Sequence, residues 1–367
     1  MLKLIFSDIH ISAGTPPGEF NPYEDFHYDS VMAEFLAYYS TGQNHDRPVE
    51  LIINGDFLDP LKVPINQTFP DKITNAIALR KVSICLDGHP IVVKALRDFV
   101  SRPDKSITYI MGNHDMEIAY PSVQQLFRSV IGGPTYQDRI RFRIFEPFYD
   151  LPGGVRVCHG QQFEALNRVN LERLFLTQGY AEPILNLPWG SIFLLKVIMP
   201  MKAERPYINL VHPFARYLSM AMITDTSWAA PAWGKVVYYF LKTRFLEARK
   251  RAVSFTHTLD ILREEAAFTP NLENAAIQML DDNPTLTAII MGHTHGAKVR
   301  RYKKRGAMYI NTGTWTKLIS LDLPDLGVHT RFTYALVEYP QTGPLEPPKV
   351  SLQRWFGTQQ PFIELRY

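Results

Sequence analysis

The sequence predicts an α/β protein with its functional site at the carboxyl ends of the strands. In the first 160 residues, short apolar runs typical of buried strands alternate with longer stretches of helical periodicity. Most of these runs end directly in polar residues, and ligands of open α/β sheets bind at that edge. The strand pattern stops after Gly160 and resumes at Thr287, which indicates a large helical insertion.

The individual elements follow from the same patterns. Buried strands are predicted over residues 3–6, 50–54, 106–111, 139–145, 155–159, 287–291, 308–311 and 334–338. Helices are predicted over residues 28–39, 73–99 and 124–130, with the second one broken near residues 87–90. The stretch from Pro340 onward is rich in Pro and Gln and is expected to lie along the surface.

Length and composition bound the class of protein. At 367 residues the chain can form one large α/β domain with an insertion, or two units. The net charge of +3 is too close to neutral to indicate a partner. Two cysteines, Cys85 and Cys158, exclude a disulfide scaffold and suit a reducing compartment. With no signal peptide and no apolar segment of ~20 residues to span a membrane, we expect a cytoplasmic protein.

Five short polar blocks follow predicted strands. They are Asp8-Ile-His10, Gly55-Asp56-Phe-Leu-Asp59, Gly112-Asn-His-Asp115, Cys158-His159-Gly160 and Gly292-His293-Thr-His295. Residues two apart on a strand point to the same face, so His293 and His295 are expected to leave their strand side by side. Because parallel strands end at the same edge of a sheet, we expect all five blocks to converge on one site.

The side chains of these blocks suit a pair of divalent metal ions. The candidate ligands are Asp8, His10, Asp56, Asn113, His159, His293 and His295. Carboxylate, imidazole and amide groups suit Mn²⁺, Fe²⁺ or Zn²⁺, with Mn²⁺ the expected ion. Seven ligands exceed what one tetrahedral ion uses, so we expect two ions bridged by the carboxylate of Asp56. Two ions ~3.5–4 Å apart generate hydroxide at neutral pH and hold both oxygens of an in-line displacement, which indicates phosphoester hydrolysis.

Together the five blocks resemble, in content and order, the signature blocks of the calcineurin-like metallophosphoesterase superfamily. The resemblance implies a four-layer α/β/β/α sandwich, in which two packed sheets are flanked by helices. It also implies a division of the ligands between two metals: Asp8, His10 and His295 on one, Asn113, His159 and His293 on the other, and Asp56 between them.

The resemblance implies catalytic roles as well. His114 would contact the substrate phosphate and assist the leaving group, and Asp59 would orient His114, as carboxylates elsewhere fix imidazole tautomers. Asp115, from the same block as His114, completes the predicted catalytic set. Asn167 and Arg168 follow the His159 block closely and are the predicted substrate contacts.

Within the superfamily, the chain is similar to the UDP-2,3-diacylglucosamine pyrophosphatases of lipid A biosynthesis. The similarity lies in the Asp-Ile-His start, in a helical insertion after the His159 block, and in the basic and aromatic character of that insertion. It implies hydrolysis of a pyrophosphate on a lipid-linked sugar nucleotide at the inner face of the membrane. The chain departs from the best-known members in carrying His114 where they carry arginine, and in its longer insertion.

The patterns divide the chain into a catalytic domain of residues 1–163 and 283–340, an insertion of residues 164–282, and a tail of residues 341–367. Within the insertion, residues 186–263 carry 11 Lys and Arg against 4 Asp and Glu, a net charge of +7, together with three of the five tryptophans. Such a segment suits peripheral binding to an anionic membrane, for example through Arg249-Lys-Arg251, and equally suits a packed helical subdomain. A second basic run, residues 298–305, is predicted to form a hairpin that is either solvated or binds an anionic partner.

Two other functions are compatible with the same blocks of residues. A nuclease or cyclic-nucleotide phosphodiesterase of the same superfamily would use the same blocks, but the positive charge here lies mostly in an aromatic-rich insertion, so nucleic acid is the less favoured partner. A non-catalytic scaffold would normally have lost a ligand, and none of the seven is substituted. The remaining histidines are interpreted as ordinary surface or structural residues: His27, His45, His89, His212, His257 and His329.

Overall fold

The structure is a computed structural model that describes residues 1–212, 214–242, 272–302, 305–321, 326–340, 347–359 and 361–365. Its strands are β1 (Leu2–Phe6), β2 (Val49–Asn54), β3 (Lys105–Ile110), β4 (Ile140–Arg143), β5 (Tyr149–Leu151), β6 (Val155–Val157), β7 (Phe175–Leu176), β8 (Ile184–Leu185), β9 (Val211–His212), β10 (Ala288–Met291), β11 (Lys298–Arg301), β12 (Met308–Asn311), β13 (Leu318–Ser320), β14 (Gly327–His329), β15 (Thr333–Glu338), β16 (Lys349–Trp355) and β17 (Phe362–Glu364). Its α-helices are α1 (Asp29–Tyr38), α2 (Asn75–Gly88), α3 (Pro90–Ser101), α4 (Pro121–Gly132), α5 (Trp189–Phe193), α6 (Met199–Lys202), α7 (Phe214–Thr224), α8 (Thr226–Leu241) and α9 (Leu272–Asp282), with a π-helical segment, Leu194–Ile198, joining α5 to α6.

Two sheets dominate the described part of the chain. The first has seven strands in the order β17-β16-β15-β1-β2-β3-β4, with β1 to β4 parallel and β15 to β17 antiparallel. The second has five strands in the order β11-β12-β10-β6-β5, with β6, β10 and β12 parallel. The mixed α/β fold class predicted from the sequence is confirmed.

Each central strand is buried on both faces, which explains its uninterrupted apolar sequence. In β1, Leu4 and Phe6 belong to a core shared with helices α1 to α4, whereas Ile5 belongs to a core shared with the second sheet. On the far side of the second sheet, α9 packs Leu272 and Ala276 against buried residues of β10 and β12. Helices, first sheet, second sheet and α9 therefore form the four layers, and the two sheets bring their strand ends to a common edge.

The prediction that the chain from Pro340 onward lies along the surface is wrong. Residues 349–355 of the predicted tail form β16, which pairs antiparallel with β15 over six residues. Val350, Leu352 and Trp355 are buried there, the last against α1. Val350 and Leu352 alternate with Ser351 and Gln353 in a period-2 strand pattern, and the Pro-rich composition around it obscured that pattern. A further strand, β5, went unpredicted and forms a hairpin with β6.

The described part of the predicted insertion is mainly helical, but it also contains short strands. One of them, β9, pairs in parallel with β13, and β13 pairs with β14. This three-stranded sheet joins the insertion to the segment that follows the last polar block. The predicted hairpin over residues 298–305 is present as β11 and β12, with Lys303 and Lys304 outside the described residues.

Part of the insertion falls outside the described residues. That part, residues 243–271, includes the basic cluster Arg249-Lys-Arg251 and also His257. Across the portion of the chain that the structure does describe, no helix combines the length and the apolar character required to cross a membrane.

Candidate metal centre

The five polar blocks converge where the parallel strands of both sheets end. Ligand-type atoms of Asp8, His10 and His295 lie within 4.8 Å of one another, and so do those of Asp56, His159 and His293. Asp56 also groups within 4.8 Å with His10 and His114. Two triads thus lie side by side, and Asp56 of the second also groups with His10 of the first, whereas the division of all seven ligands between two metals stays a prediction.

The backbone of this site is strained at the candidate ligands themselves. Asp8, His10, Asp56, His293 and His295 all have positive φ angles, between 52° and 71°. Non-glycine residues rarely adopt this conformation, and where they do the surrounding structure must compensate about 1–3 kcal/mol each. Such strain concentrated on one cluster of side chains is typical of a functional site.

The prediction that His293 and His295 leave a strand side by side on one face is wrong. Their strand, β10, ends at Met291, so neither histidine is on a strand. Both lie in the following loop with positive φ, and the loop directs His293 to the triad of Asp56 and His295 to the triad of Asp8. A shared strand face would have placed both rings on one triad.

Glycine is required where one of these loops approaches another. A Cβ atom on Gly112 would lie 2.1 Å from Oδ1 of Asp56, and one on Gly292 would lie 2.0 Å from Oγ of Ser7. Ser7 in turn donates a hydrogen bond to Asp8. Any larger residue at position 112 or 292 would displace a candidate ligand or its neighbour.

Asp59 connects both histidines of one side of the site. Its Oδ2 lies 2.9 Å from Nδ1 of His10, 3.1 Å from Nδ1 of His114 and 2.6 Å from Nζ of Lys62. Nδ1 of His114 is too poorly aligned for a hydrogen bond, so that contact is an ion pair. Burial opposes ionisation, but Lys62 and His114 hold the pKa of Asp59 well below its ordinary value. Asp59 therefore contacts the candidate metal ligand His10 as well as its predicted partner His114.

The pKa shifts in the cluster show that its carboxylates stabilise positive charge beside them. Burial opposes the positive charge of the His159 imidazole, but the neighbouring carboxylates of Asp56 and Asp8 raise the pKa of His159 to about 10. Burial likewise opposes the charge of Asp8, but His159 and His295 lower its pKa to about 2. Divalent cations would neutralise these buried carboxylates in the same way, and they would displace the protons from the imidazole rings.

Several candidate ligand atoms are buried without a hydrogen-bond partner among the described residues. They are Oδ1 of Asp8, Oδ1 of Asn113 and Nε2 of His159. Buried polar atoms of native proteins are nearly always paired, and an unpaired one costs about 1–3 kcal/mol. A metal ion in each triad would satisfy these atoms, so the donor set fits a two-metal site.

Hydrogen bonds to neighbouring loops occupy the carboxylate of Asp115, and its predicted catalytic role stays a prediction. Its Oδ2 accepts hydrogen bonds from the Phe57 backbone at 3.0 Å and the Tyr109 hydroxyl at 2.8 Å. Its Oδ1 accepts the backbone N–H of Gly112 at 2.7 Å. Asp115 therefore ties the loop of Asp56 to the loop of Asn113, and its oxygens face the protein.

Of the two predicted substrate contacts, Asn167 is linked to the centre and Arg168 is at the surface. Glu164, which the sequence reasoning missed, binds Nε2 of His293 through Oε2 and accepts a 2.8 Å hydrogen bond from Asn167. A carboxylate on the free nitrogen of a ligand histidine fixes its ring. Arg168 is exposed, and its Nε donates to the carbonyl of Gln162 at 2.9 Å. No sequence motif marks Glu164, because its partner is 129 residues away.

His212 is the second residue that the sequence reasoning missed. It was interpreted as an ordinary histidine, but its ring centroid lies 5.2 Å from that of His295. Its Nε2 is buried and has no hydrogen-bond partner within the described chain. Burial and the neighbouring His295 lower the pKa of His212 to about 3.

A sequence model of the calcineurin-like phosphoesterases matches residues 1–297 of this chain. The chain belongs to this family. No curated protein matches it. The phosphoesterase match includes all seven candidate ligands and supports a metal-dependent hydrolase of phosphoric esters.

Solved structures similar to this phosphoesterase share little sequence with it. A dimetal phosphatase from Danio rerio is 9% identical with a TM-score of 0.39, and the match covers 100% of this chain and 99% of the other. A single mutant of Vps29 from Entamoeba histolytica is 9% identical with a TM-score of 0.31, at 100% coverage of both chains. A cold-active protein-tyrosine phosphatase from a Shewanella species is 10% identical with a TM-score of 0.32, covering 100% of this chain and 80% of the other. The family assignment therefore rests on the sequence match.

The arrangement provides this phosphoesterase with the parts of a hydrolytic site. Asp56 belongs to one triad and also groups with His10 of the other, and clusters of His and Asp suit the divalent ions that phosphoesterases of this family use. His114 is a partly exposed imidazole at the edge of the cluster, and Asp59 and Asp56 raise its pKa to about 9 against the opposing effect of burial. A protonated imidazole beside the donor groups can supply a proton to a leaving oxygen.

Proposed function

We propose that this phosphoesterase is a two-metal enzyme that cleaves a phosphodiester or pyrophosphate bond of a lipid-linked substrate, such as UDP-2,3-diacylglucosamine, at the cytoplasmic face of the membrane. The observation that carries the hydrolytic part is the pair of neighbouring triads, with Asp56 in one of them and also grouped within 4.8 Å with His10 of the other. A bridging carboxylate between two sets of imidazole and carboxylate donors is the arrangement that binds two ions for in-line displacement at phosphorus.

The proposed ligand sets are Asp8, His10 and His295 for one ion, and Asn113, His159 and His293 for the other, with Asp56 common to both. Mn²⁺ is the proposed ion, with Fe²⁺ or Zn²⁺ as the alternatives. When bound, the ions supply an activated water and neutralise the phosphoryl charge. His114 protonates the leaving oxygen, and Asp59 holds the rings of His114 and His10 in position.

The proposal of a lipid-linked substrate is supported by an exposed apolar surface on α7 and α8 of the insertion. Ile223 is 86% exposed and Tyr238 is 65% exposed. Further exposed apolar side chains on the same two helices are Met220, Met222, Val237 and Leu241. Arg216 and Lys235 are exposed on these helices as well. Apolar side chains interspersed with basic ones suit the interface of an anionic membrane.

The hydrolytic proposal is tested by a metal-supplemented assay on purified protein. Wild-type protein should contain a transition metal and should hydrolyse UDP-2,3-diacylglucosamine faster than simple phosphodiesters or monoesters. Asp56→Asn should lose activity by about 10³-fold or more while the fold survives, because the shared carboxylate is lost. Asp98→Asn, at an exposed position far along α3, is the control. Metal-free protein together with an active Asp56→Asn variant would overturn the proposal.

The membrane part is tested by flotation with liposomes that contain anionic phospholipid. Replacing Ile223 and Tyr238 together by Glu should reduce flotation at least severalfold, because two charges would enter the apolar face. Phe145→Glu, at an exposed aromatic residue outside the insertion, should float like the wild type. Equal flotation of all three proteins, together with a preference for bare nucleic acid as substrate, would favour the nuclease alternative.

A further inference from the structure

His212 places an unpartnered nitrogen beside the candidate metal centre. Its ring lies 5.2 Å from the ring of His295, centroid to centroid, and the two planes are tilted by 58°. Nε2 is buried and no described group hydrogen-bonds to it. A buried nitrogen without a partner costs about 1–3 kcal/mol, so its position calls for an occupant that the folded chain does not supply.

Two sets of contacts fix the position of His212. In the first, β9 pairs in parallel with β13, where His212 is opposite Ser320 and its carbonyl accepts the N–H of Leu321 at 2.8 Å. The side chain of His212 also forms a hydrogen bond to the backbone of Asn209. The pairing with β13 therefore fixes the main chain of His212, and Asn209 fixes its ring.

The second set is a buried chain of charges that runs from the insertion to the catalytic histidines. Lys202 lies 2.5 Å from Oδ1 of Asp25, and the side chain of Asn209 donates to Oδ2 of Asp25 at 2.7 Å. Lys62 lies 2.6 Å from Asp25 and 2.6 Å from Asp59. Because buried charges without partners are costly, these contacts connect the insertion to the catalytic centre.

His212 lies outside the clusters of His, Asp and Glu that bring three ligand atoms within 4.8 Å of one another among the described residues. An ordered water or a group that arrives with the substrate would satisfy Nε2. The position of the ring beside His295 favours the substrate.

We propose that His212 is a substrate-contacting residue, whose Nε2 forms a hydrogen bond with the phosphate group that is held at the metal centre. This rests on the proposed function and adds to it that the insertion supplies part of the phosphate site. A ring nitrogen of imidazole that carries its proton donates a hydrogen bond to an ionised phosphate oxygen.

The test compares His212→Ala and His212→Gln with His27→Ala, a change at an exposed histidine away from the site. Each metal-loaded variant is assayed on bis(p-nitrophenyl) phosphate, titrated with inorganic phosphate, and checked for metal content and melting temperature. His212→Ala should lower kcat/KM and weaken phosphate binding by about 10- to 100-fold, the effect of one hydrogen bond to a charged group. Metal content and melting temperature should stay at wild-type values.

His212→Gln keeps a hydrogen-bonding group near the position of Nε2 and should recover part of both losses. If the Ala variant fails to fold, the Gln variant still decides, because its phosphate affinity should lie below that of the wild type and of His27→Ala.

Two results would overturn the inference. One is wild-type kcat/KM and phosphate affinity, within twofold, in both variants; the other is a loss of activity that tracks a loss of metal, which would make His212 a ligand. A wild-type protein that neither hydrolyses the ester nor binds phosphate would instead overturn the proposed function itself.

Discussion

At the scale of single residues, Asp59 shows how one carboxylate organises several functional groups. Its single oxygen Oδ2 faces His10, His114 and Lys62, all within 3.1 Å. The sequence predicted the pairing with His114 from the family resemblance. It gave no sign of the contact with His10, which arises only when loops from different strands meet, or of the local contact with Lys62 three residues further along the chain.

Replacing Asp59 by Asn should therefore damage catalysis more than stability. Loss of the charge releases both imidazole rings, and we expect kcat/KM to fall by about 10²–10⁴-fold, the usual contribution of positioned acid–base groups. Steady-state kinetics at saturating metal measure this, with melting temperature as the control for folding. An Asp59→Asn enzyme of wild-type activity would show that neither ring depends on this carboxylate.

At the scale of elements, the long loop before α1 is fastened to the junction of α2 and α3 through His89. Glu24 accepts the backbone N–H groups of Ser12 at 3.2 Å and Gly14 at 2.7 Å. Nε2 of His89 lies 3.2 Å from Glu24, and its Nδ1 lies 2.9 Å from Asp29. His89 was interpreted as an ordinary histidine. Nothing in the neighbouring sequence predicts that its ring contacts two carboxylates from a segment some 60 residues earlier.

This contact predicts a pH-dependent contribution to stability. Burial opposes the charge, but Asp29 and Glu24 raise the pKa of His89 from 6.5 to about 9. The stabilisation is therefore fully present below pH 6.5 and is lost as the pH rises through about 9. In urea unfolding, His89→Gln should have a lower free energy of unfolding than the wild type at pH 6. The difference between the two proteins should be larger at pH 6 than at pH 10 by on the order of 3 kcal/mol. A difference independent of pH would contradict the assignment, and His27→Gln is the matched control at an exposed histidine.

At the scale of the whole molecule, the last strands complete the first sheet. β16 covers β15 along its full length, and Trp355 packs its ring 5.5 Å from that of Phe35 and 5.3 Å from that of Tyr38 in α1. β17, in contrast, carries exposed Phe362 and Ile363 at the sheet edge. The two strands should therefore differ in their importance for folding.

A chain ending at residue 340 should fail to fold, because it exposes β15 as a new edge and removes a buried tryptophan, a loss of about 3–5 kcal/mol from the side chain alone. A chain ending at residue 359, which lacks only β17, should keep a cooperative melt. Thermal melts by circular dichroism distinguish the two. A cooperative melt of the shorter chain would contradict the role assigned to β16.

The sequence by itself determined the α/β class, the catalytic strands and the seven candidate ligands. These depend on local patterns: buried strands read as apolar runs, and the ligands follow each run within a few residues. The tertiary structure alone decided the left-handed conformation that sends His293 and His295 to different triads, the inclusion of β16 in the first sheet, and the arrival of Glu164 and His212 from the insertion. The contacts of Glu164 and His212 join segments far apart in the chain and leave no periodicity in the sequence. The strand pattern of β16 is present in the sequence, but the Pro-rich composition around it obscured that pattern.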